Sequence, residues 1–182
     1  RELGMKEGLL PRHLKSLDPD VTVAGPVYTV LGRPDSTLNE DESLLRWTEL
    51  LGSAPSGHVM VCQPQDNERA LMGELSAETL QFRGVRGYIV DGGCRDISFI
   101  KKLRFPVFCR FTTPRDIVAA WTPEGYETPI TIGDVTIHSG DFILGDQDGL
   151  VVLPVAHAES IVKRVEEVMQ TENMVRKAIL EG

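Results

Sequence analysis

The feature that most constrains this chain is the segment from residue 87 to residue 103. It begins with a short apolar run at 87–90, which is typical of a buried strand. Asp91-Gly92-Gly93 then indicates a turn, and residues 97–103 have helical character. A strand, a loop and a helix in this order indicate an α/β fold, in which ligands commonly bind beyond the carboxyl ends of the strands.

The remaining elements follow from apolar periodicity and from the positions of Gly and Pro. Because Gly25-Pro26 interrupts the first strand, we expect that strand to lie at an edge or to carry a bulge. The predicted elements are strands at 21–30, 58–63 and 106–111, a polar loop at 32–42, a short helix at 43–51, hairpins within 130–154 and a helix at 155–180.

Length and charge limit the classes of function. A chain of 182 residues suits one domain, and a net charge of -8 without a cluster of basic residues argues against nucleic acid or an anionic membrane as partner. Cys62, Cys94 and Cys109 are odd in number and lack zinc-like spacing, so we expect reduced thiols and a cytoplasmic protein. The chain begins at Arg1 rather than Met, which leaves room for a missing amino-terminal segment.

A glycine stands within an otherwise helical stretch at residues 71–76. Because a glycine inside a helix costs about 1 kcal/mol relative to alanine, we expect Gly73 to begin the helix. The free N–H groups of Glu74, Leu75 and Ser76 would then attract a carboxylate or a phosphate. The alternative is a glycine that serves close packing only.

Arg95-Asp96 follows the strand and the glycine-rich turn, and therefore lies where α/β sheets place their ligands. The planar fork of Arg95 can bind a carboxylate through two hydrogen bonds, and Asp96 offers an oxygen that suits Mg²⁺ or Mn²⁺. A 2-keto acid substrate needs both groups. The alternative is that Asp96 only caps the helix that begins at Ile97, with Arg95 in solvent.

The carboxy-terminal helix carries one polar group on its apolar stripe. Glu172 falls on the stripe formed by Ile161, Val165, Val168, Val175 and Ile179. It lies either at the solvated edge of that stripe or against a partner subunit or site.

Several segments, taken in order, carry a resemblance to a known family. They are residues 25–30, Gly73-Glu74-Leu75, residues 84–87, Asp91-Gly92-Gly93-Cys94-Arg95-Asp96, residues 105–108, Gly140-Asp141 and residues 145–149. The chain resembles the 4-hydroxy-4-methyl-2-oxoglutarate aldolases and the RraA-like proteins that share their fold. The order of these segments is specific for the superfamily and much less so for the reaction.

The resemblance implies a single α/β domain over residues 1–182, of the β/β/α swivelling-domain type. It implies a lyase, a divalent-metal-dependent aldolase that releases pyruvate from a small 2-keto acid, often with oxaloacetate decarboxylase activity. The cofactor would be Mg²⁺ or Mn²⁺. It also implies a homotrimer or hexamer with sites between the subunits.

The resemblance also assigns roles to residues. Residues 73–76 would hold the substrate through backbone amides, Arg95 would bind its carboxylate and carbonyl end, and Asp96 would coordinate the metal. Glu74 stands where these aldolases have an Asp with a proton-shuttling role, and Glu172 resembles the acid that a neighbouring subunit lends. The family tends to carry a further acid just after the Arg-Asp pair, and residues 97–101 have none.

Other functions remain as alternatives. RraA itself resembles these enzymes but binds and inhibits ribonuclease E, and fold alone does not separate the two. A quinone methyltransferase would need a Gly-x-Gly-x-x-Gly loop, which the sequence lacks. Lys101 and Lys102 could form a Schiff base, although nothing predicts the burial that such a lysine requires. Residues 146–149 resemble the start of a calcium loop, but a hairpin turn explains them better.

Overall fold

The structure, a computed structural model, describes residues 8–181. The chain alternates strands and helices up to residue 112, and continues with short strands and one long helix. The elements in order are β1 (Lys15–Ser16), β2 (Val23–Pro34), α1 (Glu40–Ser53), β3 (Val59–Gln63), α2 (Glu74–Phe82), β4 (Gly87–Cys94), α3 (Ile97–Leu103), β5 (Val107–Thr112), β6 (Trp121–Tyr126), β7 (Ile130–Ile132), β8 (Val135–Ile137), β9 (Phe142–Gly145), β10 (Leu150–Leu153) and α4 (Ala158–Glu181).

A mixed sheet with strand order β1-β5-β4-β3-β2-β9-β10 forms the centre of the molecule, and β6 also pairs with β2. Strands β2 to β5 are parallel neighbours, with Val27 opposite Val59 and Val59 opposite Gly87, whereas the outer strands pair antiparallel. Each parallel pair is joined through a helix, as parallel strands require.

The two faces of the sheet bury different partners. On one face, side chains such as Met60 and Tyr88 pack with Leu50, Leu80 and other residues of α1, α2 and α3. On the opposite face, a second cluster contains sheet residues together with residues of β7 to β10. The order of layers is helices, sheet and hairpins, which confirms the expected α/β fold of the β/β/α type.

Strand β2 corrects the expectation of an edge strand, because it lies in the middle of the sheet and extends to Pro34. Gly25-Pro26 is tolerated because residues 23–26 pair with β9 alone, and pairing with β3 begins only at Val27. Proline lacks an N–H, and it is accepted where the ladder is one-sided. A register irregularity follows at Leu31/Gly32, where β6 pairs with β2.

The predicted loop at 32–42 and the predicted helix at 43–51 are also corrected, since α1 begins at Glu40 and ends at Ser53. The cause is a capping box. Asn39 accepts a hydrogen bond from the backbone N–H of Glu42, whose side chain in turn accepts one from the Asn39 N–H. Three acidic residues in the first turn further favour this start, because the helix dipole is positive there.

Strand β4 continues through Asp91-Gly92-Gly93, so the predicted turn at these residues is wrong. The strand keeps pairing with β5 after a register shift between Val90 and Gly93. A Cβ atom on Gly93 would lie 2.6 Å from the Arg69 carbonyl oxygen and 2.6 Å from the Phe111 ring. Glycine is needed at 93 for the close approach of neighbouring backbone and side chain, not for a turn.

The predictions for the carboxy-terminal half are confirmed. β7 pairs with β8 and β9 with β10, and the Asp146 N–H donates to the Gly149 carbonyl at 3.1 Å in the β9–β10 turn. Helix α4 is present, and none of its residues is buried within the chain. No helix within residues 8–181 is both long and apolar enough to span a lipid bilayer.

Candidate active site

The segments that follow β3, β4 and β5 line one cavity of about 240 Å³, together with residues of α1 and α2. Gly73, Glu74, Leu75, Ser76, Arg95 and Asp96 all line it. The structure therefore brings together six of the seven residues that the sequence singled out. Glu172 is exposed on α4 and does not line this cavity.

Backbone hydrogen bonds join the segment before α2 to the end of β4. The Leu71 N–H donates to the Gly93 carbonyl at 2.9 Å, and the Arg95 N–H donates to the Met72 carbonyl at 2.9 Å. Paired backbones hold Gly73 against Arg95 and Asp96. The relative position of the two predicted sequence motifs is thus fixed by main-chain bonds, independently of any ligand.

Gly73 fulfils both of its proposed roles. It occupies the N-cap position of α2 in an extended conformation, as expected for a residue that begins a helix. A Cβ atom at this position would lie 2.6 Å from Asp96 Oδ2 and 3.2 Å from Arg95 Nε. Gly73 therefore both begins α2 and allows Arg95 and Asp96 to pack closely against it.

Asp96 does not use its side chain to cap its own helix. It precedes α3 in a left-handed conformation with φ 56°, and its carboxylate makes no capping hydrogen bond to α3. Its Oδ2 atom instead accepts a hydrogen bond from the Glu74 N–H at 3.1 Å, at the start of α2. The interpretation of Asp96 as only the cap of the helix at Ile97 is therefore wrong. The carboxylate is directed toward the cavity by α2.

Arg95 lies between two carboxylates. Its Nε is 3.7 Å from Asp96 Oδ2, and its Nη1 is 3.6 Å from Asp116 Oδ2. Both distances exceed a hydrogen bond, and the Arg95 side chain is 40% exposed. The guanidinium is oriented by charge but keeps its donors available for a ligand.

The first turn of α2 offers two backbone donors to the cavity. The first intrahelical bond at this end runs from the Ala77 N–H to the Gly73 carbonyl, so the Leu75 and Ser76 amides precede any helical acceptor. The Ser76 hydroxyl already accepts a hydrogen bond from Trp47 Nε1 at 3.0 Å. The backbone of this turn, more than its side chains, is free to bind an anion.

The part of the cavity lining that comes from α1 and from residues 116–118 was not predicted from the sequence. Ser43, Leu44 and Trp47 come from α1, and Asp116, Ile117 and Val118 come from the segment after β5. One signal was available, because Asp116 follows the carboxyl end of β5 just as Asp96 follows that of β4. Nothing in the α1 sequence indicated that Leu44 or Trp47 faces a cavity.

A buried aspartate supports the segment that leads to α2. Asp66 Oδ1 accepts hydrogen bonds from the Glu68 and Arg69 N–H groups, and its Oδ2 accepts one from Arg69 Nη1 at 2.7 Å. Burial works to raise the pKa of Asp66, but the hydrogen bonds from Glu68 and Arg69 outweigh it and lower the pKa below its usual value.

The site could bind a divalent cation through a single carboxylate, that of Asp96. Within residues 8–181, no three His, Cys, Asp or Glu side chains lie together as a metal cage. Asp96 is a single carboxylate, 41% exposed, on the cavity wall. One carboxylate completed by water and substrate is a mode that Mg²⁺ commonly uses, so the donor set suits Mg²⁺ or Mn²⁺ better than Zn²⁺.

Comparisons with known proteins agree with this architecture. A Halalkalibacterium halodurans protein, provisionally named 4-hydroxy-4-methyl-2-oxoglutarate aldolase, is 30% identical over 91% of this chain and 76% of its own length. Streptomyces coelicolor RraAS2, described as an unusual member of the RNase ES inhibitor RraA protein family, is 30% identical with a TM-score of 0.82, covering 96% of this chain and 86% of its own.

A further solved structure, described as one of novel cellulases from microbes of the gut ecosystem, is 32% identical with a TM-score of 0.88 over 96% of this chain and 78% of its own. The family model RraA-like, described as Aldolase/RraA, matches residues 1–152. This chain is therefore a member of the RraA-like family.

Proposed function

We propose that the chain is a divalent-metal-dependent carbon–carbon lyase that releases pyruvate from small 2-keto acids. One observation supports this most directly: Arg95 and the carboxylate of Asp96 line the same cavity beside the free amides of a helix start. These are the groups needed to bind a carboxylate, a cation and a developing negative charge. The name given to the Halalkalibacterium halodurans relative agrees with this class of reaction.

The residues act on different parts of the substrate. Arg95 binds the carboxylate next to the keto group, and the Leu75 and Ser76 amides donate to the same end. Asp96 holds the cation, which when bound supplies a Lewis acid for the keto oxygen. The position of the Asp96 carboxylate is set by the Glu74 N–H, which donates a hydrogen bond to Asp96 Oδ2 at 3.1 Å. No lysine lines the cavity among the described residues, so the site does not favour a Schiff-base mechanism.

Two glutamates are the candidates for proton transfer in this proposal. Glu74 lines the cavity and is one methylene longer than aspartate; in this proposal it would exchange a proton with the substrate hydroxyl. Glu172 lies outside the cavity of its own chain, so its role requires a neighbouring subunit. We propose a homotrimer or hexamer in which the exposed apolar stripe of α4 packs against a neighbour. Light scattering tests the assembly, and an active monomer would refute it.

The decisive experiment separates Arg95 from Asp96. Arg95→Lys keeps the charge but loses the two-pronged donor, so pyruvate release should fall about ten- to a hundredfold while Mn²⁺ binding persists. Asp96→Asn removes the charge that holds the cation, so Mn²⁺ binding and turnover should fall together. Chelation should abolish turnover, and Mg²⁺ or Mn²⁺ should restore it. Full activity after chelation, or normal Mn²⁺ binding by Asp96→Asn, would reject the mechanism.

A ribonuclease regulator is the second candidate, and the similarity to RraAS2 supports it. Such a protein would bind a ribonuclease E scaffold and show no pyruvate release from any 2-keto acid. Co-sedimentation with the ribonuclease and a screen of 2-keto acids, run on the same preparation, distinguish the two.

A further inference from the structure

The charges around Arg95 are unevenly distributed. Among the described residues that line the cavity, Arg95 is the only cation, whereas Glu74, Asp96 and Asp116 are acidic. The adjoining depression on the other side of Arg95, formed with Thr112, Thr113 and Pro114, contributes no further cation. Within one subunit, the described lining can therefore neutralise one carboxylate of a ligand through a side chain, and it supplies no second basic side chain for another.

Part of the cavity lining is apolar. Leu44, Trp47, Ile117 and Val118 contribute apolar side chains to the cavity lining, and Leu44 is 49% exposed. A hydrocarbon group placed there would bury apolar surface, which stabilises binding by about 0.8 kcal/mol per CH₂. A carboxylate placed there would lose water without gaining a partner.

Asp116 adds a repulsive element. Its Oδ2 is 3.6 Å from Arg95 Nη1, whereas Asp96 Oδ2 is 3.7 Å from a different nitrogen of the same guanidinium, Nε. A ligand whose second carboxylate extended past Arg95 in this direction would approach a like charge. A like charge that a competing ligand would have to approach is a common source of specificity.

We infer that the site takes 2-keto acids with one carboxylate and an uncharged, apolar distal group, and that it discriminates against dicarboxylates. This inference rests on the proposed function and specifies its substrate class, 4-hydroxy-2-oxo monocarboxylic acids. In the cleavage, the bond between C3 and C4 breaks, the C4 hydroxyl loses its proton and becomes a carbonyl, and C3 takes up a proton. The products are pyruvate and a neutral aldehyde or ketone, with no net oxidation.

Binding of two similar-sized probes tests the inference without catalysis. 4-Methyl-2-oxopentanoate and 2-oxoglutarate share the keto acid end and differ in an isopropyl group against a carboxylate, and neither has a 4-hydroxyl to cleave. Isothermal titration of the Mg²⁺-loaded protein should give a Kd at least about tenfold lower for 4-methyl-2-oxopentanoate, equivalent to about 1.4 kcal/mol. An equal or lower Kd for 2-oxoglutarate would overturn the inference.

Two leucines on the surface of α1 give a matched pair of variants. Leu44 lines the cavity, whereas its neighbour Leu45 is 60% exposed and does not. Leu44→Arg should tighten 2-oxoglutarate binding at least about tenfold by supplying the missing cation, whereas Leu45→Arg should leave it unchanged. Asp116→Asn should shift the preference in the same direction as Leu44→Arg. The absence of any shift in both cavity variants would also overturn the inference.

Cleavage assays separate failure of the inference from failure of the proposed function. 4-Hydroxy-2-oxopentanoate and 4-hydroxy-4-methyl-2-oxoglutarate are compared by pyruvate release. Release from both with a higher kcat/KM for the dicarboxylate would overturn the inference and leave the lyase function intact. Release from neither, with the monocarboxylate still bound more tightly, would reject the lyase function and leave the preference for one carboxylate standing.

Discussion

Replacement of Gly73 by alanine is the sharpest test of the site's construction. The backbone at 73 is extended, with φ -145° and ψ -173°, so alanine meets no conformational penalty there. The added methyl carbon would lie 2.6 Å from Asp96 Oδ2, and ordinary contact begins near 3.4 Å. The Asp96 carboxylate must therefore move by about 0.8 Å, from the difference between these two distances.

This movement should harm function far more than stability. Arg95 and Asp96 are 40% and 41% exposed, so both side chains can swing toward solvent, and the free energy of unfolding should fall by less than about 1 kcal/mol. The hydrogen bond from the Glu74 N–H to Asp96 would be lost. A displacement of about 1 Å at a reacting group can cost about a hundredfold in rate, and we expect a loss of that size in pyruvate release together with weaker Mn²⁺ binding.

Gly52→Ala provides the control. Gly52 lies near the end of α1 with no atom within 4 Å of an added Cβ, so alanine should stabilise the helix by about 0.5 to 1 kcal/mol without affecting the site. Chemical denaturation, Mn²⁺ titration and pyruvate release are measured on both variants. Wild-type Mn²⁺ affinity and turnover in Gly73→Ala would show that Asp96 does not need its observed position, and would refute the reasoning.

Two further predictions concern the support of the site and the thiols. Asp66→Asn sets an amide N–H₂ against the Arg69 guanidinium and should cost about 2 kcal/mol of unfolding free energy. Because the pKa of Asp66 is lowered in the folded protein, the difference in unfolding free energy between wild type and Asp66→Asn should be complete above the unfolded pKa of about 4. It should shrink as the pH falls through the pKa of Asp66 in the folded protein. A difference that is unchanged at low pH would contradict this role of Asp66. Burial raises the pKa of Cys62 to about 12 and also raises the pKa of Cys94, whereas the hydrogen bond with Cys94 lowers the pKa of Cys109. Because all three free thiols are buried, a thiol reagent at neutral pH should react slowly with native protein and rapidly with all three after unfolding.

The elements that the sequence predicted well are those whose local signals agree with the tertiary structure. Helix α3 has the predicted bounds, because its apolar pattern ends at Leu103 and Arg104 follows in a left-handed conformation that terminates it. The hairpins of the carboxy-terminal half follow from their Gly-Asp turns. By contrast, β4 continues through two glycines because a neighbouring strand and the segment at 69–70 hold it there. Periodicity in a single segment contains no information on such neighbours.

The site was predicted only in part for a related reason. Arg95, Asp96 and the start of α2 are marked by residue types that need a ligand or a special conformation, and these signals are local. Leu44 and Trp47 belong to an ordinary amphipathic helix, and their exposure to the cavity depends on how α1 crosses the sheet. The apolar residues that we propose determine substrate specificity are therefore harder to predict from the sequence than the residues proposed to bind the keto acid end of the substrate.

The difference between the backbone-fixed residues and the apolar cavity lining matters for comparing functions within the RraA-like family. The Leu71–Gly93 and Met72–Arg95 hydrogen bonds fix Asp96 and the start of α2 through the backbone, and a backbone arrangement can be retained whether or not a protein still catalyses. The left-handed conformation of Asp96, which costs energy in most residues, is held by these bonds and not by a side-chain cap on α3. Catalytic identity therefore has to be sought in the side chains that the backbone leaves free. In this chain these are Arg95, its neighbour Asp116 and the apolar side chains of the cavity lining, which we propose together admit one ligand carboxylate and exclude a second.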